Sequence, residues 1–259
     1  MKIAIVHDWL TGMRGGEKCL EVLCDLYPSA DLFTLLHIPG SVSSKIESHS
    51  IQTSFLQNLP FIKSKYRYYL PVMPFAIERF NLSKYDLVIS SSHCVAKSVK
   101  PAPGSLHICY CHTPMRYIWD QFDQYFSVKK SNLVILAVMK LLRPWFQKWD
   151  SKTSCRVNYF IANSNHVKNR IKKYYKKDSI VIYPPVDTKL FKPYKNNMGD
   201  YFLIISAFAP YKRVDLAIEA FNILGYPLTV IGEGQDAEAL RLRGNANIRF
   251  EGWLDDSSI

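Results

Sequence analysis

The sequence predicts an α/β protein: two doubly wound, parallel-sheet domains in series, the second incomplete. Three observations predict it. Short β-branched, apolar runs alternate with helical patterns from one end to the other. The alternation stops at a polar stretch, residues 187–200, and then starts again. The length, 259 residues, suits one large domain or two modest ones. The expected bounds are therefore 1–186, a linker at 187–200, and 201–259.

The first run, Lys2–Asp8, reads as a buried strand. A loop with Gly12, Gly15 and Gly16 follows. Glu17–Tyr27 then places Leu20, Leu23 and Tyr27 on one helical face, and Pro28 stops it. Asp31–Leu36 is strand-like. Phe61–Phe80 is aromatic and basic, and Pro71 and Pro74 break any long helix there. Asp86–Ser90 and Leu106–Cys111 are further strands, and Leu133–Trp149 is an apolar-basic helix. Tyr159–Asn163 is a strand, Ser164–Tyr175 a helix with Ser164 as N-cap, and Ser179–Ile182 a strand. After the linker come strand Tyr201–Ser206, helix Val214–Leu224, strand Pro227–Ile231, helix Asp236–Arg243 and strand Ile248–Glu251. This β-α-β-α-β order predicts right-handed parallel crossovers. It is about half of a doubly wound domain, and a further helix is due where the sequence stops. A truncated second domain is the expectation.

Composition excludes several classes. With 48% hydrophobic and 21% charged residues and a mean hydropathy of −0.08, the chain is neither collagen-like nor disordered. No apolar run reaches the ~18 residues of a membrane span, and the N-terminal run is too short for a signal peptide. The six cysteines form no C-x-x-C pair, so no zinc site or redox motif is expected, and a reducing, cytoplasmic setting fits. Charge is uneven. Residues 1–199 hold 28 Lys and Arg against 13 Asp and Glu, and residues 200–259 hold 5 against 9. The basic part suits a phosphorylated substrate, an anionic membrane face or a nucleic acid. No nucleic-acid-binding motif accompanies the charge, and a nucleic acid is the least favoured partner.

The motifs lie where strands end. Gly15-Gly16 opens the first helix, where ligands of open α/β sheets bind. The pair serves either a phosphate's approach or a tight turn; neither a dinucleotide fingerprint nor a P-loop is present. Ser90-Ser91-Ser92-His93 ends a strand at the same rim and reads as a polar loop. His112-Thr113-Pro114 follows another strand, and Met115-Arg116-Tyr117 with Trp119-Asp120 is either a sugar-binding surface or a packed loop. Lys212 and Arg213 sit at a strand-to-helix junction and are either phosphate ligands or a solvated pair. Gly232-x-Gly234 ends the next strand and reads first as a turn. Leu133–Trp149, with Lys140, Arg143, Lys148, Trp145 and Trp149, is either a buried helix bent at Pro144 or an interfacial one.

Taken together, His7-Asp8-Trp9, Arg14-Gly15-Gly16-Glu17, His112-Thr113-Pro114-Met115-Arg116-Tyr117, Ile161-Ala162-Asn163-Ser164, Tyr183-Pro184-Pro185-Val186-Asp187, Pro210-Tyr211-Lys212-Arg213-Val214-Asp215 and Ile231-Gly232-Glu233-Gly234 resemble glycosyltransferase family 4. These are retaining enzymes of GT-B fold, and the likeness is greatest to bacterial mannosyltransferase-like members acting on surface polysaccharides. The resemblance implies two Rossmann-like domains facing a cleft, the first handling the acceptor and the second the nucleotide-sugar donor. By position it places Gly15 and Gly16 beside the donor diphosphate, and His112 at the transferred sugar. Lys212 and Arg213 fall on the donor phosphates, and Gly232 and Gly234 line the donor. It implies catalysis through His112 and Lys212 without a metal or other cofactor, and GDP-mannose as donor.

Two features depart from the family pattern. Ser206 is followed by Ala207 where many relatives carry arginine, and the E-x7-E segment is absent. The implied acceptor is lipid-linked or an oligosaccharide. Arg116 with Lys63, Lys65 and Arg67, interleaved with tyrosines, would face that acceptor and an anionic membrane surface. The expected location is the cytoplasm, at the inner face of the cell membrane. Two other functions fit the same residues: a GT-B nucleotide-sugar epimerase, and a non-catalytic remnant that binds membrane or a partner.

Overall fold

β1 (Ile3–His7) and the strands after it build one parallel sheet: β2 (Asp31–Thr34), β3 (Ile51–Thr53), β4 (Leu87–Ser92), β5 (Leu106–Cys111), β6 (Tyr159–Ala162) and β7 (Ser179–Val181). Their order is β3-β2-β1-β4-β5-β6-β7. The computed structural model describes residues 1–126, 132–192, 199–255 and 258. β2 and β3 lie on one side of β1, and β4 with all later strands on the other. The winding therefore reverses between β1 and β4, and a crevice opens at such a point beyond the carboxyl ends of the strands.

The sheet's two faces follow from strand alternation. Ala4, Val6 and Val88 join a core with Phe33, Leu136 and Phe146. Ile5, Leu32 and Ile89 face Leu20 and Cys24 of the helix Gly15–Leu26 on the other side. The helix Asn165–Tyr175 starts as expected: Ser164 Oγ accepts from the Val167 N–H at 3.2 Å. Pro71 and Pro74 break 62–77 into three short helical turns. The helix Leu133–Thr153 runs through Pro144, and only one side of it is buried, through Leu136, Met139 and Phe146. Leu133, Val134, Val138, Leu141 and Trp145 are exposed, so the buried-helix alternative holds for half its circumference. A buried ion pair fixes this helix: Lys97 Nζ lies 2.9 Å from Asp150 Oδ1. Asp150 Oδ2 accepts from Trp119 Nε1 and the Tyr175 hydroxyl. All six cysteines are free thiols; five are buried and Cys155 is exposed.

The chain divides into units Met1–Pro185 and Val186–Ile259. Of the expected linker, residues 193–198 lie outside the described residues, as do 256, 257 and 259 of the terminal stretch. In the second unit β8 (Phe202–Ile205), β9 (Leu228–Ile231) and β10 (Ile248–Gly252) form a parallel sheet in the order β10-β9-β8. The helices Val214–Leu224 and Ala237–Arg241 connect them, and Val214, Ile218, Val230 and Leu240 form the core.

Candidate active site

The reversal between β1 and β4 gathers polar side chains that no soluble core would otherwise hold. His7 ends β1 and pairs in register with Ser91 of β4. His112 comes one residue after β5, anchored by its N–H to the Ser92 carbonyl at 2.9 Å. The result is a connected row. Ser91 Oγ lies 3.1 Å from His7 Nδ1 and 2.9 Å from His112 Nε2. On the far side of His7, Nε2 lies 3.6 Å from Glu17 Oε1. His7, Ser91 and Glu17 are all buried.

The helix Gly15–Leu26 points its amino end at this row. Gly16 lies against both rings: a Cβ there would sit 3.7 Å from His7 Cε1 and 3.8 Å from His112 Nε2. Gly15 has open space beside it. Glu17 also caps the helix, its Oε2 accepting the Arg14 N–H at 3.1 Å. The first-turn amides and the helix dipole favour an anion at this end.

Asp8 orders the opposite wall. Its buried carboxylate accepts the backbone N–H groups of His93, Cys94, Val95 and Ala96 at 2.7–2.9 Å, and His93 Nδ1 lies 3.0 Å away. Burial pushes this carboxyl up, but His93, His7 and the backbone amides prevail and hold it well below the ordinary carboxylate range. The indole of Trp9 then packs between His93 (4.6 Å between ring centroids) and Tyr66 (5.1 Å). Tyr66 brings the basic-aromatic stretch up to the site.

Electrostatics keep His112 neutral. Burial, then His93 and His7, lower its pKa to about 3. Glu17 stays ionised, since His7 outweighs the burial that would raise its carboxyl.

Of the residues singled out from the sequence, Gly16 and His112 meet here. Arg116 is half-buried in the following loop, where its carbonyl accepts the Gln121 N–H at 2.9 Å. That loop is packed rather than open. Trp119 stacks on Tyr174 at 4.4 Å, and Asp120 pairs with Arg170. Lys63, Lys65 and Arg67 are exposed, with Lys65 over the Phe61 ring and Arg67 over the Tyr66 ring.

The second unit holds the others. Lys212 is exposed in a short turn after β8 and lies over the Tyr211 ring at 5.7 Å. Arg213, with φ of 52°, pairs with Asp215 of its own turn at 3.0 Å. Gly232 and Gly234 allow the loops after β8 and β9 to touch. A Cβ on Gly232 would meet the Ser206 carbonyl at 1.8 Å, and one on Gly234 the Phe208 carbonyl at 2.4 Å.

The sequence reading of Ser90-Ser91-Ser92-His93 as a polar loop gives way here, since Ser90, Ser91 and Ser92 are buried residues of β4; sequence reasoning gives Glu17 and His7 no role of their own. A signal for them existed: a histidine ending a buried apolar strand, and a run of serines ending another, both at one sheet edge. A shallow recess lined by Ser83–Asp86 and Ala102–Ser105 lies at the opposite edge, before β4 and β5, away from the row.

A parallel sheet whose ionisable row stands at the winding reversal, beside a glycine-opened helix, is a Rossmann-like unit with its ligand position at that reversal. The family model described as Glycosyltransferase Family 4 matches residues 39–190, more than half of the chain, and the protein belongs to that family. An uncharacterized glycosyltransferase of Methanocaldococcus jannaschii is 31% identical over 93 residues, 35% of this chain. That stretch spans 24% of the relative's length. Among solved structures, Anabaena HepE in complex with UDP and glucose matches with a TM-score of 0.62 at 16% identity, over 99% of this chain and 70% of that one. Sucrose-phosphate synthase of Thermosynechococcus elongatus matches at 0.61 and 13%, over 100% and 72%. These likenesses give the fold, GT-B.

Proposed function

We propose that the protein is a retaining glycosyltransferase that moves a hexosyl group, mannosyl from GDP-mannose, to a lipid-linked or polysaccharide acceptor of a bacterial surface glycan. The observation that carries this reading is His112 beside Gly16 at the amino end of the helix Gly15–Leu26. Breaking the anomeric C–O bond puts negative charge on the departing diphosphate. Fixed N–H donors and cations at that diphosphate lower the barrier. In this reading the amides of Gly15 and Gly16, with Lys212 and Arg213, take that charge, and no metal or other cofactor is called on. Gly232 and Gly234 line the donor. His112, neutral, offers a ring nitrogen to the sugar. The departing phosphate oxygen takes the proton of the acceptor hydroxyl on the same face.

Arg116, Lys63, Lys65 and Arg67 face the acceptor and its membrane in this reading. It is supported by the stacking of Phe75 on Trp145 at 6.1 Å, which joins the basic-aromatic stretch to the exposed side of the helix Leu133–Thr153. Val134, Val138, Leu141 and Trp145 recur there at helical spacing. Apolar side chains beside cations suit an anionic leaflet. No helix among the described residues is long and apolar enough to cross a membrane. The protein then works in the cytoplasm at the inner membrane face.

The test is turnover of labelled GDP-mannose, with UDP-glucose as the competing donor, on a lipid-linked acceptor. GDP-mannose is expected to be consumed with product retaining the anomeric configuration. His112→Ala and Lys212→Ala each lower turnover by roughly 10²-fold or more. Consumption of UDP-glucose alone overturns the donor assignment, and epimerisation without transfer overturns the reaction.

A further inference from the structure

The row Glu17–His7–Ser91–His112 has a direction, and this determines which nitrogen of His112 carries its proton. The inference rests on the transfer reading only for what His112 does with substrate. Each link has limited freedom. A carboxylate can only accept, a neutral imidazole has one donor and one acceptor nitrogen, and a hydroxyl can donate to one side while accepting from the other. Glu17 faces His7 Nε2 at 3.6 Å, both groups buried, and this nitrogen has no hydrogen-bond partner. An ionised carboxylate there favours a proton on Nε2. His7 Nδ1 then accepts from the Ser91 hydroxyl at 3.1 Å. Having donated its proton that way, Ser91 Oγ accepts from His112 Nε2–H at 2.9 Å.

We propose that Glu17 is a positioning residue which, through His7 and Ser91, holds His112 as the Nε2–H tautomer and leaves Nδ1 as a hydrogen-bond acceptor for a hydroxyl of the bound sugar. Tyr110 packs edge-on against the His112 ring at 5.3 Å but gives its hydroxyl to the Ile182 carbonyl at 3.0 Å. Two further ionisable groups near the row are Asp8 and His93. They are engaged with each other, and Asp8 with four backbone amides, so the row runs through Ser91 alone to His112. Helix capping by itself explains one oxygen of Glu17, the one bonded to the Arg14 N–H. It does not explain why the other faces a buried imidazole.

Glu17→Gln tests this because glutamine keeps an oxygen for the cap but presents an N–H to His7. His7 Nε2 then accepts, Nδ1–H donates to Ser91, and Ser91 donates to His112 Nε2. Every bond in the row reverses, and His112 becomes the Nδ1–H tautomer. The readout is the two-bond nitrogen–proton correlation pattern of 15N-histidine-labelled full chain without donor, assigned through His112→Gln. The wild type is expected to show Nε2–H at His112 and E17Q to show Nδ1–H. On a Ser91→Ala background, E17Q is expected to leave the His112 pattern unchanged. A wild-type Nδ1–H pattern, an unchanged pattern in E17Q, or a reversal that persists without Ser91 overturns the relay. Backbone amide spectra that superpose away from residues 7, 17, 91 and 112 exclude unfolding as the cause. Absence of GDP-mannose turnover leaves this spectroscopic result intact. Full turnover by E17Q with a reversed tautomer overturns the part assigned to Nδ1 while leaving the transfer reading standing.

Discussion

Asp8 shows how a single carboxylate can build a wall. Four consecutive backbone N–H groups end on it, so the turn after β4 is ordered around a negative charge with no exposure to water. Asp8→Asn removes that charge and leaves His93 without its partner. It is expected to lower unfolding free energy by about 3 kcal/mol, measured by denaturant titration. The pH dependence has a defined sign. Burial lowers His107 to about 4 and, with its neighbours, His112 to about 3, against an ordinary 6.5. Well above pH 6.5 neither the folded nor the unfolded form of these two histidines is protonated. Below it the unfolded chain binds protons that the native one refuses, so stability falls as pH drops from about 6.5 towards 4. Asp8, held low, adds to that loss below about pH 4. Melting temperature against pH is the measurement. His107→Gln, which removes the ring bonded to Ser90 and the Arg156 carbonyl, is expected to flatten the upper part of the slope.

At the scale of elements, strand β4 serves two sides at once. Ser90 bonds His107 and Ser91 bonds His7 and His112, because successive side chains of a strand leave opposite faces. In the second unit, backbone contact replaces side-chain contact. Gly232→Ala is expected to destabilise that unit by about 3 kcal/mol, since its Cβ would collide with a carbonyl. Hydrogen exchange should quicken in β8 and β9 and stay unchanged in β1 to β7. Leu141→Glu on the exposed side of its helix is expected to change stability by under about 0.5 kcal/mol while reducing flotation with anionic vesicles. Nine of the ten strands among the described residues were legible in the sequence, because each is an apolar run between turn residues. β3 was not: its three residues, Ile51-Gln52-Thr53, carry too little pattern, and pairing with β2 fixes them. Gly16 and His112 were legible by position. Glu17 was not, because its partner is ten residues away in sequence and meets it only once the helix folds back over β1.

For the whole molecule, the charge asymmetry of the sequence becomes a property of separate bodies. The basic excess falls in the first unit and the mild acidic excess in the second. If the proposed membrane role of Lys63, Lys65 and Arg67 holds, vesicle association is expected to weaken steeply as salt rises, and reversal of all three charges to reduce that salt dependence. Co-sedimentation across a salt series reads this directly, and an unaltered profile in the triple variant would remove these residues from the membrane face.

The free thiols carry one more consequence. Five are sealed inside and Cys155, just past the end of the helix Leu133–Thr153, meets water. Maleimide chemistry on the unmodified chain should therefore stop at one adduct. A fluorophore attached there would report from the first unit without any engineered handle.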